Sequence, residues 1–303
     1  MMELSDFQQK IATFFDKTEL RFEEPLTKHT SFRIGGPAEV MVFPKKRDSL
    51  ARALEVSGLL DCKTIILGAG TNVLAPDEGI RGMVICLKDC LDGMELLADC
   101  CIRVAAGVTL TRAAVFAANH GLGGMEFAHG IPGSVGGAIY MNAGAYGGEI
   151  AAICKSFEIM TIGGKIKTLT SEELAFSYRH SCLQDTKDIV LSAVFKLQEK
   201  PAEGIRSQMQ ELMAKRKASQ PLDYPSAGSA FKRPCGGYAA ALIDQAGLKG
   251  FRIGNAAVSE KHAGFVVNLG GATAADVRAV LQQVAERVYS ASGIYLEPEI
   301  RIL

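Results

Sequence analysis

The sequence has no excess of charge of either sign, because 33 lysine and arginine residues balance 33 aspartate and glutamate residues. Proteins that bind nucleic acid or an acidic membrane surface usually carry a basic excess. We therefore expect a small-molecule partner and no nucleic acid. Of the 303 residues, 48% are hydrophobic, which is enough to form a core for two or three domains.

Long hydrophobic runs are also missing. No uninterrupted apolar stretch reaches the roughly 20 residues that a membrane-spanning helix needs. Residues Met1 to Lys10 are acidic and polar, whereas a secretory signal begins with a basic segment followed by an apolar one. These observations predict a cytoplasmic location without membrane insertion, and we expect a monomer.

The sequence has no Cys-x-x-Cys pair and no histidine near a cysteine at zinc-binding spacing, so no metal site is expected. The cysteines stand in apolar contexts and are interpreted as small buried hydrophobic residues in a reducing compartment. His129 and His180 lie near suggestive motifs, but each lacks the partners of a catalytic base, which favours a structural role. The eight cysteines are Cys62, Cys86, Cys90, Cys100, Cys101, Cys154, Cys182 and Cys235.

The common nucleotide-binding fingerprints are absent. Gly68-Ala69-Gly70 is followed by Val73 where a Rossmann motif has its third glycine, and no glycine loop ends in Gly-Lys-Ser/Thr. A Rossmann dinucleotide site and a P-loop are therefore both disfavoured.

Glycine, in contrast, is concentrated in two segments, residues 68–72 and 130–148. Glycine has no Cβ and adopts positive φ freely, so successive N–H groups converge on an anion such as a pyrophosphate. One glycine loop alone is often only a tight turn. Ser134 and Asn142 have the alternative of satisfying loop backbone groups. The two loops together predict a long, phosphate-bearing cofactor.

Hydrophobic periodicity predicts α/β structure in the first part and α+β structure after it. Asp48 is expected to cap one helix, and Gly121 to end another. The composition changes at residues 200–204, which predicts a domain boundary. Beyond it we expect a separate core with a long helix starting near Thr273, and a terminal strand over residues 294–303.

Six motifs in register closely resemble the UDP-N-acetylenolpyruvoylglucosamine reductase (MurB) family, in its shorter (type II) branch. The resemblance runs from residue 30 to the C-terminus. The motifs are Thr30-Ser31-Phe32-Arg33-Ile34-Gly35-Gly36-Pro37-Ala38, Gly68-Ala69-Gly70-Thr71-Asn72, the Gly130 to Gly148 run, Ser177-Tyr178-Arg179-His180-Ser181, Ala227-Gly228-Ser229-Ala230-Phe231-Lys232 and Glu297-Pro298-Glu299-Ile300-Arg301.

The resemblance implies an α+β protein with a two-subdomain FAD-binding fold of the vanillyl-alcohol-oxidase (PCMH) type and a C-terminal α+β substrate-binding domain. The expected divisions are an N-terminal helical segment (1–30), the FAD domain (31–200, subdomains about 31–90 and 91–200), the substrate domain (205–292) and a strand returning to the FAD domain (293–303).

The reaction implied is the reduction of UDP-N-acetylglucosamine enolpyruvate to UDP-N-acetylmuramate for peptidoglycan precursors, with FAD and NADPH as cofactors. Hydride addition to the vinyl carbon leaves negative charge that spreads into the substrate carboxylate, so a cation and a proton donor are needed. By resemblance Arg179 is the cation, Ser229 the proton donor and Glu299 the residue that holds or polarises the carboxylate.

The resemblance also implies binding residues. The cofactor-binding candidates are Arg33, Ile34, Gly35, Gly36, Gly68, Ala69, Gly70, Thr71, Asn72, Gly130, Pro132, Gly133, Ser134, Gly136, Gly137 and Asn142, and the substrate-binding candidates are Tyr178, Gly228 and Lys232. The shorter branch lacks the tyrosine-bearing loop that covers the substrate diphosphate in the longer one. Tyr146, Lys249 and Arg252 are candidates for that contact.

Two alternatives stay open at this point. One is a related FAD-dependent alcohol oxidase or dehydrogenase, although no histidine or cysteine that would tether a flavin stands beside either glycine loop. The other is a nucleotide-binding regulatory module without catalysis.

Overall fold

The computed structural model describes residues 4–88 and 90–303, and the chain forms two compact units. The first unit contains Met1–Phe22, Val40–Ala69 and Gly82–Lys215, and the second contains Glu23–Glu39, Gly70–Arg81 and Arg216–Leu303. The second unit is therefore assembled from three segments of the chain. The domain boundaries expected from the sequence stay a prediction.

The helices are α1 (Asp6–Ala12), α2 (Arg47–Leu59), α3 (Leu110–Asn119), α4 (Val135–Tyr140), α5 (Leu183–Thr186), α6 (Ala202–Ser219), α7 (Ala239–Gln245) and α8 (Ala274–Ser292). The strands are β1 (Leu20–Pro25), β2 (Pro37–Val42), β3 (Thr64–Leu67), β4 (Val73–Leu74), β5 (Ile80–Cys86), β6 (Met94–Leu97), β7 (Cys101–Ala105), β8 (Leu122–Gly123), β9 (Gly144–Ala145), β10 (Gly148–Glu149), β11 (Cys154–Met160), β12 (Ile166–Thr170), β13 (Ile189–Lys196), β14 (Gln198–Glu199), β15 (Ser226–Ser229), β16 (Arg252–Ile253), β17 (Ala256–Val258), β18 (Phe265–Asn268) and β19 (Arg301–Ile302). No described helix is both long enough and apolar enough to cross a bilayer.

Two sheets contribute strands to the first unit. One is antiparallel, with strand order β12-β11-β13-β7-β6, and its central strand β13 is almost continuously buried. Helices α3, α4 and α6 contribute apolar side chains to the same core. The other sheet has the order β1-β2-β5-β3, with β3 parallel to β5, and packs with α1 and α2 around a second core.

The second unit has its own antiparallel sheet, with order β15-β18-β17-β16, covered by α7 and α8. The predicted start of α8 is confirmed. The Thr273 side chain accepts from the Asp276 N–H, and the Asp276 carboxylate accepts from the Thr273 N–H, which makes a capping box. The C-terminal strand is shorter than predicted, because its continuous pairing is confined to Arg301–Ile302, in parallel with β4, with an isolated antiparallel bridge between Pro298 and Phe231.

Two local expectations need correction. Helix α2 begins at Arg47 with Lys46 as its N-cap, so Asp48 lies in the first helical turn instead of at the cap. From there its carboxylate still interacts favourably with the positive end of the helix dipole. The N-terminal segment contains strand β1 as well as helix, and Phe32 lies in the core of the second unit. The predicted end of α3 is confirmed, because Gly121 follows the C-cap with φ of +66°.

The cysteine interpretation holds for half of the set. Cys86, Cys90, Cys101 and Cys154 are buried, but Cys235 is exposed. Burial raises the pKa of the Cys90 thiol to about 11, which keeps it protonated and inert at neutral pH.

Candidate functional site

The longer glycine loop lies at the start of α4 in the first unit. The Ser134 hydroxyl accepts from the Gly137 N–H at 3.4 Å, so Ser134 is the N-cap of the helix. The Gly136 N–H donates to the Ala106 carbonyl at 2.9 Å, which fixes the loop against the chain that follows β7. Ser134 therefore satisfies a backbone group of its own loop, which is the structural role that the sequence left open.

The shorter glycine loop meets the longer one at Ser134. A Cβ added to Gly68 would lie 3.4 Å from the Ser134 Oγ, and one added to Gly137 would lie 3.6 Å from it, with no other atom within 4 Å apart from the adjacent residues and the backbone of α4 itself. Among the residues that the structure describes, the Gly68 and Ala69 amides donate no hydrogen bond to the protein. Unengaged amides and a hydroxyl around open space are the donor set that a diphosphate requires, so these residues fit the pyrophosphate of FAD.

Other predicted cofactor glycines pack against their own chain. A Cβ at Gly35 would lie 2.6 Å from the Ala75 Cβ, one at Gly36 would lie 2.2 Å from the Asp77 carbonyl oxygen, and one at Gly70 would lie 1.9 Å from the His29 carbonyl oxygen. Close packing within the protein, against a side chain at Gly35 and against backbone at Gly36 and Gly70, is sufficient to require glycine at these positions.

The remaining cofactor candidates differ in exposure. Arg33 is exposed with φ of +54°, whereas the Ile34 side chain is 2% exposed and belongs to the core of the second unit. The Gly130 N–H donates to the Thr111 hydroxyl at 3.3 Å. The cofactor roles of these residues, and of Thr71, Pro132 and Gly133, stay predictions.

Arg179 lies in a tight turn of the first unit. Ser177 and His180 exchange two backbone hydrogen bonds of 3.1 Å, and Arg179 between them has φ of +56°. Its Nη2 donates to the Gly144 carbonyl at 3.1 Å, and its guanidinium carbon lies 4.9 Å from the ring centre of Tyr178, whose side chain is 48% exposed.

Asn142 connects this turn to the glycine-rich segment. It is 1% exposed, its Nδ2 donates to the Ser177 carbonyl at 3.0 Å and to Glu149 at 3.3 Å, and its Oδ1 accepts from the Ala151 N–H at 3.0 Å. The side-chain amide of this predicted cofactor residue is thus used within the protein.

Ser229 and Glu299 are neighbours in the second unit. Ser229 ends β15 after Gly228, whose φ is +76°, and it is exposed. The next residue, Ala230, accepts a 2.9 Å hydrogen bond at its carbonyl from the Glu299 N–H. The Asn72 Nδ2 donates to the Glu299 carbonyl at 3.1 Å, which fixes the segment that carries the carboxylate. The structure therefore places Ser229 next to the segment of Glu299, although the two residues are far apart in the sequence.

The basic substrate candidates have partners of their own. Lys232 pairs with Glu297 through both its ammonium group and its backbone N–H, Lys249 pairs with Asp244 at 2.7 Å, and Arg252 donates to the Gly254 carbonyl. Tyr146 is 44% exposed. None of these contacts identifies a diphosphate site.

The sequence interpretation missed two residues near these elements. Gln184 donates to the Arg179 carbonyl at 3.0 Å, and no motif marked it. His262 packs edge-on against Phe265, the strand partner of Ser229. Burial lowers the pKa of His262, so the ring is neutral at pH 7 and adds no charge there.

Comparison with known proteins identifies both parts of the chain. A model of the C-terminal domain of UDP-N-acetylenolpyruvoylglucosamine reductase matches residues 220–303, and an FAD binding domain matches residues 38–170. The UDP-N-acetylenolpyruvoylglucosamine reductase of Streptococcus pneumoniae (strain 70585) is 45% identical over 296 residues, 98% of each chain. The crystal structure of the Thermus caldophilus MurB enzyme is 37% identical, with a TM-score of 0.78 over 94% of this chain and 98% of that one.

A more distant likeness concerns the fold alone. A structure of alkyldihydroxyacetonephosphate synthase is 16% identical, with a TM-score of 0.51 over 65% of this chain and 41% of that one. The predicted α+β class with an FAD-binding domain is confirmed. Because the identity to curated reductases is 45% over almost the whole length, the chain belongs to the UDP-N-acetylenolpyruvoylglucosamine reductase (MurB) family, as its motifs predicted.

Proposed function

We propose that this chain catalyses the NADPH-dependent reduction of UDP-N-acetylglucosamine enolpyruvate to UDP-N-acetylmuramate, with Ser229 as the proton donor. The observation that carries the proposal is the exposed Ser229 hydroxyl beside the segment of Glu299, held by the Glu299 N–H to Ala230 carbonyl bond. The reduction needs a proton donor and a group that orients a carboxylate, and this pair supplies both.

FAD, when bound and reduced by NADPH, supplies the hydride for the terminal vinyl carbon of the substrate. The residues that would hold it are those around the Ser134 hydroxyl: the amides of Gly68 and Ala69 suit a diphosphate, and the absence of a side chain at Gly68 and Gly137 leaves room for it. Ser134 also keeps α4 capped, so the binding loop is fixed before the cofactor arrives.

Arg179 stabilises the charge that develops on the substrate. Hydride addition places negative charge on the adjacent carbon and the carboxylate, and a fixed guanidinium stabilises that charge more in the transition state than in the ground state. The bond from Nη2 to the Gly144 carbonyl restricts the side chain, so little reorganisation is needed during the reaction.

Ser229 completes the reaction by giving its proton to the carbon next to the carboxylate. The products are the saturated ether and NADP⁺, with one hydride and one proton added across the double bond. The Ser229 alkoxide that remains is reprotonated from solvent, to which the residue is exposed. Glu299 orients the substrate carboxylate.

The test separates the two half-reactions under anaerobic conditions. In the Ser229→Ala variant we expect NADPH to bleach the flavin at the wild-type rate, while reoxidation by the enolpyruvyl sugar nucleotide slows by about two orders of magnitude. Ser226→Ala in the same strand is the control and should change neither rate. Wild-type reoxidation in Ser229→Ala would exclude Ser229 as the donor, and bleaching by simple alcohols would favour an oxidase instead.

We also propose NADPH and the sugar nucleotide as the partners of a cytoplasmic monomer. Light scattering of the purified protein measures the oligomeric state directly.

A further inference from the structure

Gln184 joins the two parts of the first unit that the proposed mechanism uses. It lies in the short helix α5, and its Nε2 is 3.0 Å from the Tyr140 carbonyl oxygen and 3.0 Å from the Arg179 carbonyl oxygen. One side-chain amide thus donates to both. Tyr140 is the last residue of α4, the helix that Ser134 caps at the glycine loop.

Helix α5 is a fixed support for this amide. Leu183 is fully buried in the core of the first unit, and so is Ser181, whose hydroxyl donates to the same Tyr140 carbonyl at 2.9 Å. The position of Gln184 relative to the end of α4 is therefore set by packing and by two hydrogen bonds on one acceptor.

Arg179 needs such a support, because its backbone is in the left-handed region with φ of +56°. This conformation is costly for a residue with a side chain, and it persists where neighbouring bonds hold it. Gln184 binds the carbonyl of Arg179, and Gly144 binds the guanidinium. The backbone of Arg179 is thus connected to Tyr140 through Gln184, and its guanidinium is bonded directly to Gly144.

We infer that Gln184 is a positioning residue that sets where the Arg179 guanidinium lies relative to the glycine-rich segment. The inference rests on the proposed function, in which Arg179 stabilises charge on the substrate. Loss of the amide leaves the backbone of the turn free to relax, and a displaced guanidinium then stabilises the transition state less.

The first experiment compares Gln184→Leu with Gln184→Lys. Leucine keeps most of the volume and removes the donor, so we expect the second half-reaction to slow by about tenfold, which is about 1.4 kcal/mol of activation free energy. Lysine supplies a donor for both carbonyls and should restore most of the rate. Gln210→Leu, an exposed position on α6, is the matched control.

FAD affinity and melting temperature report whether Gln184→Leu stays folded. We expect the FAD affinity and the NADPH bleaching of the flavin to match those of the control, and the melting temperature to fall by no more than about 5 °C, because the two lost hydrogen bonds contribute about 1 kcal/mol each. Wild-type reoxidation in Gln184→Leu, or failure of lysine to restore the rate, would overturn the inference.

A double-mutant cycle distinguishes positioning from a general structural role. In an Arg179→Ala background there is no guanidinium to place, so adding Gln184→Leu should have no further effect. An equal loss in both backgrounds would show that Gln184 acts independently of Arg179. If Arg179→Ala alone reoxidises at the wild-type rate, the role of Arg179 in the proposed function is wrong and the inference fails with it. If only Gln184→Leu is without effect, the inference alone fails.

Discussion

At the scale of single residues, glycine serves two purposes in this chain, and only the structure separates them. At Gly70 a side chain would overlap the backbone of His29, whereas at Gly68 and Gly137 it would point to the open space beside Ser134. The sequence predicted all three as cofactor residues for one reason, close backbone approach. The distances show that the close neighbour is the protein itself at Gly70.

Gly137→Ala tests that distinction. The new methyl group would make ordinary contact with the Ser134 Oγ at 3.6 Å, and alanine is favoured over glycine in a helix by about 1 kcal/mol. We therefore expect the apoprotein to be as stable as the wild type or more so, while FAD binding, measured by flavin fluorescence, weakens at least about tenfold. Unchanged FAD affinity would show that Gly137 does not face the cofactor.

Gly70→Ala is the contrasting variant. Its methyl group would lie 1.9 Å from a carbonyl oxygen at a residue with φ of +66°, so the backbone must shift. We expect a loss of about 2 kcal/mol or more in the free energy of unfolding of the apoprotein. Urea denaturation measures both variants on the same scale.

At the scale of elements, the sequence was most informative for long periodic segments with clear caps. Helix α8 begins where Thr273 predicted it, because an N-cap acts through residues three positions apart, here Thr273 and Asp276. The terminal strand was predicted over ten residues, but its length depends on a partner, β4, more than 200 residues away. Local patterns do not contain that information.

Thr273→Ala should weaken the start of α8. Removal of the hydroxyl leaves the Asp276 N–H without its acceptor, so we expect a loss of about 1 kcal/mol in the free energy of unfolding, measured by urea denaturation. Ser290→Ala, exposed near the other end of the helix, should stay within about 0.5 kcal/mol of wild type.

The pKa of Asp276 gives this cap a pH dependence. Hydrogen bonds from the backbone N–H groups of Thr273 and Asn255 outweigh slight desolvation and lower the pKa. The carboxylate therefore stabilises the folded state at neutral pH, and this contribution is lost as acid protonates it.

The Thr273→Ala prediction has a clear contrary outcome. An identical urea midpoint for Thr273→Ala and wild type at pH 7 would show that the cap contributes nothing.

At the scale of the whole molecule, the two units are not the two halves of the sequence. The second unit combines Glu23–Glu39 and Gly70–Arg81 with everything after Lys215. The composition change at residues 200–204 divides the chain at one point in the sequence. A compact unit, in contrast, can combine distant segments, because it forms wherever their apolar side chains pack together.

FAD should stabilise the folded protein by mass action. At a free concentration of about 100 times the dissociation constant, the expected gain is about 2.7 kcal/mol, or roughly 5 °C in the melting temperature. Riboflavin, which has no diphosphate, should give a much smaller shift if the space around Ser134 holds the pyrophosphate. Equal shifts for the two molecules, or none for FAD, would contradict the assignment.

The sequence by itself determined the family, the cofactor class, the start of α8 and the two glycine loops, because each depends on residue types at fixed short spacing. Only the tertiary structure decided which glycines face open space, that Glu299 is held beside Ser229 and that Gln184 supports Arg179. Hydrogen bonds that span 44 residues from Gln184 to Tyr140 and 227 residues from Asn72 to Glu299 hold the last two arrangements. Because the partners of these bonds are far apart in the sequence, no local pattern specifies them.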